Sequence, residues 1–247
     1  MNNSIIQKRF ELEEIFERFY HSFQSKPKIK SIFIFFFVVF YLSIPGFHIP
    51  TLEIFSTRIS GVMEQRALQN YFIYFPSQDW IDYDSMPISA KQGAIAMEDG
   101  SFMHHKGIDW VNLNASMRAN KRRGKIVRGG STITMQLAKN IYFTTSRNYF
   151  RKAKEILVAM RMEKEISKKE ILEQYLNIIE LGNGVFGIGE ASNQYFNRDI
   201  ERLTREQAAR LIAVIPSPLK NKPTDNRSLV LSRKGRVLAR MSSAEIP

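Results

Sequence analysis

The stretch Gly93-Ala-Ile-Ala-Met-Glu-Asp-Gly-Ser-Phe-Met-His-His-Lys-Gly-Ile-Asp109 is the part of the chain around which the rest is organised. It begins as a helix. Pro87 precedes it, and Ser89 with Gln92 three residues on has the spacing of a reciprocal capping box. Ala90, Ala94, Ile95 and Met97 give an apolar, mostly small-residue surface that packs closely. Glu98 and Asp99 fall where this helix runs out, just before Gly100. A carboxylate there faces the negative end of the helix dipole, which disfavours its ionised form. Partial desolvation would raise the Glu98 pKa further, towards the range in which a carboxyl group moves protons near neutral pH. Taken alone, the two acids describe a solvated helix end equally well.

Outward from this stretch the pattern stays helical. No sustained period-2 alternation occurs, so the expected fold class is all-α (mainly α). Two further capping boxes are readable, Ser167/Glu170 and Thr204/Gln207. Ala208, Ala209, Leu211, Ile212 and Val214 follow the second and predict a buried helix that stops before Pro216. A loop-like region is expected from Asn112 to Arg128, containing Lys121-Arg-Arg-Gly-Lys125.

Two more constellations carry chemistry. In Arg128-Gly-Gly-Ser-Thr-Ile-Thr-Met-Gln-Leu-Ala-Lys-Asn140, glycines lead into Ser131, Thr132 and a helix-compatible run. Free backbone N–H groups and hydroxyls at a helix N-terminus make a general anion site. It is not a phosphate-binding loop of the G-x-x-x-x-G-K-[ST] kind, and an ordinary capped helix after a Gly turn would look the same. Lys139 and Arg147 add positive charge suited to a diphosphate. In Arg147-Asn-Tyr-Phe-Arg-Lys-Ala-Lys-Glu155, Arg151 and Lys152 stand four and three residues before Glu155 and reach it along one side of a helix. Such pairs also decorate solvated faces, where they contribute little.

Composition bounds the partners and the compartment. In 247 residues Lys and Arg number 36 against 24 Asp and Glu, a net charge of +12, so the partner is anionic: nucleic acid, a phospholipid surface or a phosphate-bearing substrate. The absence of cysteine excludes disulfides and thiolate metal sites. His21, His48, His104 and His105 form no H-E-x-x-H pattern, so a zinc hydrolase centre has no support and no metal ligands are assigned. From Ser31 to Leu52 no charged residue occurs, and Ile32–Leu42 is wholly apolar or aromatic. Extended through Phe47 the run reaches the roughly 20 residues that span a bilayer. Lys26, Lys28 and Lys30 precede it and no Lys or Arg follows until Arg58, which keeps the N-terminus cytoplasmic. The expected organisation is a cytoplasmic segment at 1–30, a transmembrane helix at 31–50 and a domain at 56–247 on the outer (periplasmic) side of the cell membrane. Within the first segment Phe10, Leu12, Ile15, Phe16, Phe19 and Phe23 are spaced as one face of an amphipathic helix. Tyr71, Phe72, Tyr74, Phe75 and Trp80 suit either a membrane interface or packing on the domain.

Placed in order, the motifs resemble a known family. Glu98-Asp-x-x-Phe102-x-x-His105-x-Gly107-x-Asp109, Gly129-Gly-Ser-Thr-Ile-Thr-x-Gln136-x-x-Lys139-Asn140, Arg151-Lys-x-x-Glu155 and Ser167-Lys-x-Glu-Ile-Leu-Glu-x-Tyr-Leu-Asn177 resemble the peptidoglycan glycosyltransferases, glycosyltransferase family 51. Leu181-Gly-x-Gly-x-x-Gly187 and the tail from Pro216 to Met241 look like the C-terminal part of that family. The resemblance covers roughly Trp80 to Met241, and its monofunctional branch fits best, because the motifs end just short of Pro247 with no transpeptidase domain following. It implies a lysozyme-like, two-lobed domain that polymerises lipid II onto a growing glycan strand, with inversion at the MurNAc anomeric carbon and release of undecaprenyl diphosphate. Glu98 would be the catalytic base and Glu155 the second essential carboxylate. Asp99, Phe102, His105, Gly130, Ser131, Thr132, Gln136, Lys139, Arg147 and Arg151 would bind substrate. No cofactor is required, although the diphosphate leaves room for a divalent cation, Mg or Mn. The implied partners are lipid II, the membrane and other cell-wall synthesis proteins, and not nucleic acid. Met135 departs from the family pattern, where a second Gln is frequent. Two rivals stand beside this reading: a glycan-cleaving lysozyme-like or lytic enzyme, and a membrane-tethered nucleic-acid or lipid binder without catalysis.

Overall fold

The computed structural model describes residues 27–44, 49–53, 59–69, 77–125, 127, 129–145 and 148–247. The amphipathic reading of Phe10–Phe23, the aromatics Tyr71, Phe72, Tyr74 and Phe75, and Arg147 lie outside them. The chain divides into two units, Met1–Pro45 and Gly46–Pro247.

In the first unit a single helix, α1, runs from Pro27 to Leu42. At 16 residues it is about 24 Å long. Its side chains from Ile32 to Val39 are exposed. Ser43 ends it, the hydroxyl donating to Phe40 O at 2.6 Å. No helix among the described residues is long and apolar enough to cross a membrane.

The second unit is mainly helical. Its α-helices are α2 (Gly61–Gln69), α3 (Ile88–Glu98), α4 (Trp110–Arg123), α5 (Ile133–Tyr142), α6 (Tyr149–Glu165), α7 (Lys168–Ile178), α8 (Ile188–Phe196), α9 (Arg205–Val214) and α10 (Ser228–Arg240). A small sheet interrupts them, with β1 (Ser77–Gln78), β2 (Glu180–Gly182) and β3 (Val185–Phe186) in the order β1-β3-β2. β1 is parallel to β3 and β2 antiparallel to it. Strands of two or three residues carry no readable alternation, so helical periodicity alone gives no warning of them. Gly187, at φ +79°, holds the exit of β3 against α7, where a Cβ would lie 2.4 Å from Asn177 O. The Asn177 side chain in turn accepts from Ile81 N and donates to Ile81 O, both at 2.8 Å, fastening the chain that leaves β1.

Two helix groups build the core. α3, α9 and α10 pack together, and α5 packs on α6 and α7. In the first group Ala90, Ala94, Ile95, Ala208, Ala209, Leu211, Ile212, Val230 and Val237 are buried. Small residues on α3 admit close helix approach, as expected from the sequence. In the second group Ile133, Leu137, Ala138, Val158, Met162, Leu172 and Leu176 fill the interior. Met135 is wholly buried among them, so its side chain belongs to the core and is not placed to bond a substrate.

Helix ends explain where the elements fall. Thr204 and Gln207 form a full capping box at α9. Ser167 caps α7 by accepting from Glu170 N at 3.1 Å. The expected box at Ser89/Gln92 does not form: α3 begins two residues earlier, after Pro87, and the N-cap position supplies no side-chain bond. The loop expected from Asn112 to Arg128 is also corrected, since most of it is α4. Asp109 caps that helix by accepting from Asn112 N at 2.8 Å, and Gly124 closes it in the left-handed conformation at φ +63°. Lys121, Arg122 and Arg123 occupy its last turn, where cations oppose the helix dipole favourably. The run that reads as a flexible basic loop is a basic helix end.

Gly107 joins the two groups. Its φ is +88°, and a Cβ there would lie 2.8 Å from Ala159 O in the middle of α6. The segment after Glu98 thus lies directly on the helix that carries Glu155. Its carbonyl accepts from Thr132 Oγ1 at 2.6 Å, tying the same point to the start of α5. Gly107→Ala combines left-handed strain with a backbone clash, and we expect it to cost roughly 2–4 kcal/mol. Thermal melting of the two proteins in one detergent checks this.

Candidate active site

α3 and the loop before α5 converge on a cleft of about 910 Å³. Ala96, Met97, Glu98, Asp99 and Gly100 form one part of its wall, Gly129–Thr132 and Gln136 another. Ile212, Ala213 and Pro216, with Leu229, Arg233, Arg236 and Arg240 of α10, complete it. Glu98 is the last residue of α3. Its Oε2 accepts from Gln136 Nε2 at 2.9 Å, and Tyr175 OH donates to Gln136 Oε1 at 3.2 Å. Tyr175 is fully buried, so this chain fixes the carboxylate from behind. Oε1 of Glu98 has no hydrogen-bond partner among the described residues. One oxygen is held and the other is open to the cleft.

Burial raises the Glu98 pKa above the ordinary carboxylate value. The Gln136 hydrogen bond and the charges of Lys139 and Arg233 pull it back down in part. Desolvation wins, which leaves a stronger base than a surface glutamate. Gln136→Met removes the largest of the lowering contributions while keeping the volume. We expect the acid limb of the pH–rate profile to move to higher pH in that variant, read from kcat/KM across a buffer series.

Glu155 lies on α6 with 2% of its side chain exposed. Arg151 Nη1 bonds Oε2 at 2.7 Å, and Lys152 Nζ bonds Oε1. Lys152 Nζ also donates to Ser131 Oγ at 3.0 Å, so the trio reaches the cleft wall through Ser131. The i, i+4 and i, i+3 pairs read from the sequence therefore join a buried carboxylate to two partly buried cations. Lys139, in the last turn of α5, is half-buried beside this trio. Desolvation lowers its pKa, the Glu155 carboxylate raises it, and Arg151 and Lys152 lower it. Its ammonium group makes no hydrogen bond or ion pair with another described residue. Lys139 thus acts electrostatically on Glu98 on one side and feels Glu155 on the other. Two acids remote in sequence flank one cation cluster. Both Glu155 oxygens are bonded by cations. Among the described residues no group of three or more His, Asp or Glu side chains is placed to share a metal ion.

The other expected substrate-binding residues divide. Gly130, Ser131, Thr132 and Gln136 line the cleft. A side chain on Gly130 would press on Leu113 and Ser116 at 3.2 Å, which keeps α4 close to this wall. Asp99 also borders the cleft, yet its oxygens are spent inside the fold. His105 Nε2 lies 2.9 Å from both, and Ile133 N donates to Oδ2 at 2.9 Å. It caps α5 and is almost fully buried. Phe102 is wholly buried and His105 nearly so, and neither lines the cleft. Phe102 packs edge-on to His105, and Lys168 lies 4.3 Å above its ring. They brace the turn that presents Glu98. Conversely, Tyr175 and the arginines of α10 belong to the site although no role was read for them. The i, i+3, i+7 spacing of Arg233, Arg236 and Arg240 was the available signal.

A half-desolvated carboxylate open to a cleft, with a cation cluster at its side, defines a site for acid–base chemistry on an anionic substrate. The chain matches the transglycosylase family model over residues 65–242. It is 44% identical over 172 residues to a biosynthetic peptidoglycan transglycosylase of Dechloromonas aromatica (strain RCB), a match covering 69% of this chain and 74% of that protein. Proteins of the same description from Methylobacillus flagellatus (43% identical over 170 residues, 68% and 73% covered) and Acinetobacter baylyi (39% over 170, 69% and 76%) are also similar. The chain belongs to the transglycosylase family and is a glycosyltransferase. The family resemblance read from the ordered motifs is borne out.

Proposed function

We propose that this protein polymerises lipid II into peptidoglycan glycan strands. The observation that carries the reading is a pair of neighbouring environments: Glu98 in the cleft with one oxygen open and its pKa raised, and behind the cleft-lining Ser131 the cations Arg151 and Lys152 on Glu155, with Lys139 acting electrostatically on both acids. Glu98 Oε1 takes the proton of the acceptor's GlcNAc 4-hydroxyl. That oxygen attacks the anomeric carbon of the donor MurNAc as the bond to the diphosphate breaks. The configuration inverts, and undecaprenyl diphosphate leaves with the bonding electron pair. Inversion needs the base and the leaving group on opposite faces of the sugar, which two separately placed sets of charges suit.

A diphosphate leaving group requires neutralisation of developing charge more than a strong acid. Lys139 supplies an unshared ammonium for it. Ser131 and the backbone N–H groups leading into α5 supply neutral donors. Glu155 works by holding Arg151 and Lys152 in place, both of its oxygens being used. A divalent cation at the diphosphate would take ligands first from the substrate's phosphate oxygens, since Arg151 and Lys152 already bond both Glu155 oxygens.

The substrate's long lipid places the reaction at a membrane. We infer an outer-face location, with the apolar run Ile32–Leu42 as part of an anchor and the N-terminus in the cytoplasm. Supporting this are the lysines before that run, the net charge of +12 beside an anionic leaflet, and large exposed apolar residues in the catalytic unit: Trp110, Val111 and Met117 on α4, Tyr149 and Phe150 at the start of α6. Incubating the protein in detergent with lipid II, and separately with finished sacculi, tests the reading. Glycan polymer from the first and no release from the second is expected. Soluble muropeptides from sacculi without polymer would instead mark a glycan-cleaving enzyme.

A further inference from the structure

Arg233, Arg236 and Arg240 line the cleft from one face of α10. Arg233 is pinned, its Nη1 donating to Ser217 Oγ at 3.0 Å. The Arg236 and Arg240 residues are exposed, and their guanidinium groups make no hydrogen bond or ion pair with another described residue. Guanidinium groups three and four residues apart on one helix face repel each other, so the row weakens the helix unless an anion joins it. The cleft provides none. None of its three acids pairs with either guanidinium: Glu98 is bonded by Gln136, Asp99 by His105 and Ile133, and Asp109 by Asn112.

We propose that Arg236 and Arg240 form a subsite for the carboxylates of the substrate's stem peptide. The proposal rests on the lipid II reading above, in which each MurNAc carries a short peptide with free carboxylates. Planar guanidinium forks pair bidentately with carboxylates. The same wall presents Leu229, Ile212 and Pro216. Apolar surface interleaved with guanidinium groups suits a peptide, with its methyl groups and carboxylates, better than a diphosphate. The diphosphate already has its own cations, reached through Ser131.

The test compares the full-length wild type with R236Q/R240Q in polymerisation of two substrates, lipid II with its native stem and lipid II whose stem carboxylates are converted to carboxamides. The expected result is a rise in KM of about tenfold for the double variant on the native stem, with kcat changed less than about twofold. Wild type shows a similar rise on the amidated substrate, and the double variant shows little further change there. R236K/R240K recovers part of the loss, and neither variant melts below the wild type, since R236Q/R240Q relieves repulsion along the helix. An equal loss on both substrates assigns the row to the diphosphate and overturns the stem-peptide proposal. No loss on either substrate overturns it as well. A wild type that polymerises neither substrate overturns the lipid II reading itself, which separates that failure from the other two.

Discussion

Glu98→Gln abolishes glycan synthesis and, at neutral pH, leaves the protein more resistant to heat than the wild type. The first effect is the loss of a general base, a contribution of about 10²- to 10⁴-fold in rate. Substrate binding survives, because the amide keeps the shape and the cation cluster is untouched. The second effect follows from burial. A carboxyl group whose pKa is raised in the folded state holds its proton more tightly there than in the unfolded chain. Stability therefore falls as pH rises through the window between the ordinary carboxylate value and the raised one, and stays reduced above it. Glutamine does not titrate. The melting temperatures of wild type and variant should coincide below the ordinary carboxylate range and separate in favour of the variant above the raised pKa. Melting curves across a buffer series, beside a polymerisation assay, read both effects.

Glu155→Gln has the opposite signature: activity and stability fall together. The carboxylate is 2% exposed and is the shared acceptor of Arg151 and Lys152. Neutralising it leaves two partly buried cations facing each other beside Lys139. Breaking a buried ion pair from one side costs about 3 kcal/mol or more. For a domain of this size that is a fall in melting temperature of roughly 6–12 °C. Displacement of the cations also weakens neutralisation of the leaving group, and we expect kcat to fall by about 10²-fold. The two glutamates are thus told apart by melting alone, which a picture of two interchangeable acids does not predict.

The contrast shows what a linear sequence reveals. The end of α3 was readable because a run of small apolar residues stops at Glu98 before a glycine. The Arg151–Lys152–Glu155 trio was readable because helical spacing places both cations on one side of the acid. Its burial was not, since depth depends on α5 and α7 packing over it. Asp99 shows the same limit. Nothing local announces that it reaches His105 and the start of α5. Phe102 and His105 were expected at the substrate because they belong to the same motif as Glu98, yet the motif records bracing as much as contact. The basic residues of α4 resemble a solvated loop, whereas its boundaries depend on the Asp109 cap and on Gly124. The α10 arginines came into view only through the tertiary fold, which turns one helix face towards a residue over 130 positions earlier.

The central claim is that Glu98, made basic by burial in the cleft, takes the acceptor's proton. The most direct measurement is the acid limb of kcat/KM for lipid II polymerisation by the wild type. A single protonation should silence the enzyme, with a pKa above the ordinary carboxylate value of 4.5. An acid limb at or below that value would contradict it.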